Sequence, residues 1–119
     1  MNNHIYLTLS LTEPLPPTSV NVTAFSSRVI NIQWDAPPNI DEIEVTYYET
    51  ADQVMREVER TPNDGSFSIH GLKEQTMYTV ELRSQGREGV GEPLLGEPVV
   101  QQVTTRKYRF TKSVINSPQ

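Results

Sequence analysis

The chain has 119 residues, 35% of them hydrophobic, with no cysteine and a formal net charge of −5. That length holds one domain with its own core, and the charge argues against bulk attraction to nucleic acid or an anionic membrane. The missing thiols exclude disulfides, thiol chemistry and cysteine-based zinc sites.

Residues 1–13 carry Ile5, Leu7, Leu9 and Leu11 in alternation with Tyr6, Thr8, Ser10 and Thr12. This is a strand pattern. Three readings stand: the last strand of a preceding domain, an added strand that pairs with an edge here or in a second molecule, or a disordered tail. Met1-Asn2-Asn3-His4 lacks the positive start of a secretory signal, and no apolar run approaches the ~20 residues of a membrane-spanning helix. We therefore read the chain as a piece of a larger protein. Pro14, Pro16 and Pro17 cannot continue a ladder and read as a stiff linker.

Val20 and Val22 begin the first strand of the main module. Asn21-Val22-Thr23 is an N-glycosylation acceptor whose Asn21 points outward; an unmodified surface asparagine is the plainer reading. Ser26-Ser27-Arg28 is a polar turn. Val29 to Trp34 forms the second strand, with Ile30, Ile32 and Trp34 on one face. Asp35 to Asn39, with two prolines, is the loop after it. Ile43, Val45 and Tyr47 alternate with Glu44, Thr46 and Tyr48 in a third strand, whose outward side is acidic through Asp41, Glu42, Glu44 and Glu49. Val54 to Arg60 reads as a weaker fourth strand. Asn63-Asp64-Gly65 signals a turn, since glycine supplies positive φ and Asn and Asp tolerate it. Phe67 and Ile69 then face inward on the fifth strand.

Gly71 allows a sharp bend before Leu72. Tyr78, Val80 and Leu82 then alternate with Thr79, Glu81 and Arg83 in a sixth, half-buried strand. A glycine-rich loop follows. Pro98 to Thr105 is the last strand, with Val99 or Val100 and Val103 as its apolar positions. Residues 106–119 interleave Arg106, Lys107, Arg109 and Lys112 with Tyr108 and Phe110, a mixture that can meet anionic partners but usually stays solvated.

Seven short strands without helical periodicity predict an all-β, antiparallel two-sheet sandwich. The first, second and fifth strands would form one sheet; the third, fourth, sixth and seventh would form the other. The expected core is Val20, Val22, Ile30, Ile32, Trp34, Val45, Tyr47, Phe67, Ile69, Leu72, Tyr78, Val80 and Leu82. The expected division is an N-terminal extension over 1–13, the domain over 14–105 and a basic extension over 106–119.

Catalysis needs convergent groups. His4 and His70 offer no pair, no calcium loop of alternating aspartates occurs, and Gly86, Gly89 and Gly91 lack the Lys-Ser/Thr of a phosphate loop. We expect no enzyme, metal or cofactor.

Trp34 followed by Asp35-Ala36-Pro37-Pro38, then Leu72, Thr76 and Tyr78 at their separation, then Gly86-Arg87-Glu88-Gly89-Val90-Gly91-Glu92-Pro93, resembles the fibronectin type III family over about residues 16 to 105. Tyr78 resembles a tyrosine corner. Two departures from the family pattern are visible: Glu74 and Gln75 stand where Pro and Gly are common, and Ile43 stands where an aromatic is common. The resemblance implies a binding or spacer module of adhesion proteins, receptors or matrix proteins, with Gly86 to Glu92 as the contact loop and Arg87, Glu88 and Val90 in it. The same fold also occurs in intracellular scaffolds. The Arg-Gly-Asp tripeptide, the Trp-Ser-x-Trp-Ser box and the paired cysteines of cytokine receptors are absent, so those activities do not carry over. Tyr48, Val90, Leu94 and Leu95 are candidate exposed contacts. A homodimer through the two extensions is a further expectation.

Overall fold

The computed structural model describes residues 14–86 and 94–108. The two-residue alternation in the sequence becomes seven strands: β1 (Thr18–Ala24), β2 (Ile30–Asp35), β3 (Ile40–Glu49), β4 (Glu57–Pro62), β5 (Ser66–Ile69), β6 (Met77–Gly86) and β7 (Val99–Thr104). They form one sheet in the order β1-β2-β5 and a second in the order β4-β3-β6-β7, with every pairing antiparallel. This is the expected sandwich, and no helix occurs among the described residues.

The inward faces meet in one apolar cluster. Ile30, Ile32, Trp34 and Ile69 come from the first sheet; Ile43, Val45, Tyr78, Val80 and Leu82 come from the second; Leu72 enters from the connection between them. Ile43, expected only as a strand residue, is fully buried. Val20, Val22, Tyr47 and Phe67, expected in the core, pack against its margin and are half-buried. They lie on strands at or beside open edges, where one flank of a side chain has no neighbour.

Two local devices fix the connections. Gly71 takes φ +75 and leads into Leu72. The Lys73 backbone N–H donates to the Tyr78 hydroxyl at 2.9 Å, so the tyrosine bonds back to the segment upstream as the corner requires. At the turn after β4, Gly65 takes φ +96, and its carbonyl accepts from the Trp34 backbone N–H at 3.0 Å. The Asn63 side chain beneath it accepts from the Trp34 indole N–H at 2.9 Å and donates to the carbonyls of Pro37 and Ile40.

One strand boundary differs from expectation. β4 begins at Glu57, and Val54 and Met55 lie outside it, strongly exposed. The cause is the tight return after β3. Asp52 N–H bonds Glu49 carbonyl at 2.8 Å, Val54 N–H bonds the Asp52 carboxylate, and Arg56 Nε bonds Gln53 carbonyl. The ladder between β3 and β4 stops at the Tyr47–Glu57 pair, and the local bonds of the turn hold residues 52–56 out of it. At the last strand, Val99 is the inward residue and Val100 is exposed.

The chain enters and leaves at opposite poles. Pro14 lies against Gly86 and Gly96, where a Cβ on Gly96 would sit 2.7 Å from the Pro14 carbonyl oxygen. Pro17 is buried. The residues expected to form a linker therefore include a segment seated on the sandwich. At the other pole, Arg106 N–H bonds Ser26 carbonyl and Gln75 N–H bonds Arg106 carbonyl. We call these ends the proximal and distal poles.

Candidate binding surfaces

Arg87, Glu88 and Val90 lie outside the described residues. Their loop has a firm base at the proximal pole: Gly86 N–H bonds Leu94 carbonyl at 2.8 Å, and Gly96 N–H bonds Ser84 carbonyl at 2.9 Å. Gln85 also bridges to Leu95. Leu94 is half-buried, and Leu95 is exposed at the foot of the loop.

The outer face of the four-stranded sheet carries the acidic stripe of β3, but pairing converts it to a mixed lattice. Register sets Glu44 beside Arg60 on β4 and Arg83 on β6, with Glu44 3.8 Å from Arg60. Tyr48, expected among exposed contacts, is only 8% exposed. Its hydroxyl donates to Glu81 at 3.1 Å, the Arg56 guanidinium lies 4.3 Å from its ring centroid, and Arg56 reaches Glu81 at 3.8 Å. A cation over an aromatic face is attracted by the ring quadrupole. The sequence hid this cover because Arg56 comes from the turn that replaced the start of the expected fourth strand. The exposed apolar side chains of this face are instead Met77 at the start of β6 and Val58 and Val100, the last two at the ends of the row Val58, Thr46, Glu81, Val100.

Asn21 is exposed on β1, opposite Gln33, and His70 is exposed just after β5. Near the corner, Lys73 pairs with Glu49 at 2.9 Å, and the attraction of Glu49 raises the Lys73 ammonium pKa. Tyr47 donates to Glu59 at 3.0 Å; burial, then that bond and the charge of Glu59, push its phenol up to about 12. Among the described residues no three His, Asp or Glu side chains gather as metal ligands would, and no helix is long and apolar enough to cross a membrane.

The distal pole combines aromatic and basic side chains. Phe25, Ser26, Ser27, Arg106, Lys107 and Tyr108 line an open depression. Phe25 is 61% and Tyr108 58% exposed. Tyr108 belongs to the stretch beyond the expected domain end, yet its backbone N–H bonds the Glu74 carboxylate at 2.6 Å.

Comparison with known proteins places this architecture. The model of the family described as Fibronectin type III domain matches residues 15–102. Neogenin of Mus musculus is 32% identical over 95 residues, covering 73% of this chain and 6% of neogenin. The leptin receptor of Macaca mulatta is 24% identical over 86 residues, covering 70% of this chain and 7% of the receptor. The chain thus spans less than a tenth of either relative. Among solved structures, the fn3 domain of human contactin 1 superposes with a TM-score of 0.70 at 18% identity, covering 82% of each chain.

Proposed function

The chain belongs to the fibronectin type III family, and from that premise we propose that it is a non-catalytic protein–protein interaction module of a multidomain cell-surface or matrix protein. Domains of this family are generally binding modules without catalysis, and they occur in receptor and adhesion proteins. The carrying observation is the family match over 15–102, a stretch that forms only a small part of the receptors it resembles.

The contact we favour is the loop from Gly86 to Glu92, through Arg87, Glu88 and Val90. Bonds at Gly86 and Gly96 hold both ends of that loop on the sandwich, and a rigid scaffold under a loop favours selective contact. The test is to immobilise the chain and present purified animal ectodomains. A retained partner should lose most of its binding to an R87A/E88A/V90A variant. Equal retention by that variant would sink the loop assignment.

An extracellular setting is part of the reading. Expressed through a eukaryotic secretory pathway, the chain should gain a mass at Asn21 that N-glycosidase removes and that Asn21→Gln abolishes. A secreted chain without that mass counts against the glycan. An intracellular scaffold is the alternative for the compartment.

A spacer without its own ligand is the second reading, favoured by entry and exit at opposite poles, which suits a bead in a string. A spacer should retain no ectodomain at all. A homodimer through the extensions is a third reading, and deleting residues 1–13 should then halve the mass in light scattering.

A further inference from the structure

The outer face of the three-stranded sheet is built from amides and hydroxyls. Alternation puts Asn21 and Thr23 of β1, Asn31 and Gln33 of β2, and Ser66 and Ser68 of β5 on that side, away from the core residues Ile30, Ile32 and Ile69. Register aligns them in two rows, Asn21–Gln33–Ser66 and Thr23–Asn31–Ser68. Asn31 is half-buried and the other five are exposed. None of the six is charged; Asp35 stands at the border of the face, opposite Thr18. The other sheet is different, for its outer face carries Glu44, Glu81, Arg60 and Arg83, with Arg56 laid over Tyr48. Asn31 accepts from the Ser68 hydroxyl at 2.7 Å. Among the described residues the Gln33 amide and the Ser66 hydroxyl bond no other side chain.

We propose that this face is a resting surface for the sugars of a glycan on Asn21, with Gln33 and Ser66 as the side chains that hold them. The inference rests on Asn21 carrying a glycan, and adds its direction and its contacts. Asn21 stands at one end of the row Asn21–Gln33–Ser66. A glycan that leaves it across the sheet meets Gln33 after one strand spacing of about 4.8 Å and Ser66 after a second. The chemistry of the two surfaces matches. Neutral sugars present hydroxyls and acetamides that both donate and accept, and so do the glutamine amide and the serine hydroxyl. No charge loses its hydration on contact, so the desolvation cost is that of neutral groups. The covalent tether keeps the sugars at high effective concentration beside the face, and modest bonds then suffice to hold them. A glycan so placed covers the first sheet and leaves the charged sheet and the loops to protein partners.

The rate at which an endoglycosidase cuts between the first two sugars tests the proposal. The full chain is secreted from cells that add only high-mannose glycans, and mass reports the sugar at Asn21. The folded wild-type chain should be cut about fivefold more slowly than a folded Q33A/S66A variant, the protection that a modest hydrogen bond gives. After denaturation both should be cut at one rate. Thr46→Ser, on the other sheet, should leave the folded rate unchanged. In NMR spectra, the Gln33 side-chain amide signals should differ between the glycosylated chain and Asn21→Gln. Equal folded rates for wild type and Q33A/S66A, with the sugar present, overturn the resting surface and leave the glycan standing. Unmoved Gln33 signals do the same. A chain secreted without a sugar on Asn21 overturns both.

Discussion

Asn63 sits in the turn between β4 and β5, yet its side chain ties three other points: the Trp34 indole and the carbonyls of Pro37 and Ile40. Removing it leaves one donor and two acceptors in a part-buried site without that partner. Asn63→Ala should therefore cost about 2–4 kcal/mol in urea unfolding, three modest bonds together. A loss under about 0.5 kcal/mol would mean that water replaces them at little cost. Tyr47 makes a different residue-scale prediction. Its phenol rises from 10.0 to about 12, so the fold favours the protonated form. The associated stability is complete below pH 10.0 and is lost as pH rises from there through about 12. An NMR titration of the Tyr47 ring should show this late ionisation. Glu59→Gln should lower it only part of the way, because burial is the larger cause. The asparagine was legible as a turn residue; its role as a hub was not, since Pro37 and Ile40 reach it only through the fold.

At the scale of elements, the corner between β5 and β6 is the most informative. Gly71 and Tyr78 behave as the sequence implied, but Gln75 occupies φ +45. This is the position where the family commonly has glycine. A side chain in that region costs about 1–2 kcal/mol, and glycine returns roughly 0.5–1 kcal/mol of that through the flexibility of the unfolded chain. Gln75→Gly should be mildly stabilising, raising the melting temperature by about 2–4 °C. A fall in melting temperature would show that the Gln75 side chain contributes more than its backbone costs. The start of β4 was misread for a related reason. Alternation in Val54 to Arg60 satisfies a strand pattern, but a strand exists only where the backbone bonds go to a neighbouring strand, and the turn after β3 takes up Asp52, Val54 and Arg56 in local bonds instead.

For the molecule as a whole, the question is where the domain ends. The family match stops at residue 102, and the sequence put the boundary at 105, but the fold continues to Tyr108. Thr105 is buried; its hydroxyl donates to Lys73 carbonyl at 2.6 Å and accepts from Thr76 N–H at 3.0 Å. Arg106 joins the Ser26 turn to the corner through its backbone. A chain ending at Thr104 should lose about 2–4 kcal/mol relative to one ending at Tyr108, several satisfied hydrogen bonds being removed at once. Equal urea midpoints would return the boundary to the last strand.

The sequence by itself determined the number of strands, the two sheets, the Trp34-centred core and the family, because each rests on local periodicity and on side chains with distinct backbone or packing needs. Asn21 was also legible as an exposed position, since two-residue alternation sorts a strand into inner and outer faces. Only the tertiary structure decided that Tyr48 is covered by Arg56, that the acidic stripe of β3 is interleaved with Arg60 and Arg83, and that Phe25 and Tyr108 share one depression. Those neighbours lie far apart in the chain or depend on register, and a side chain's environment is set by the strand beside it and not by the residues that precede and follow it.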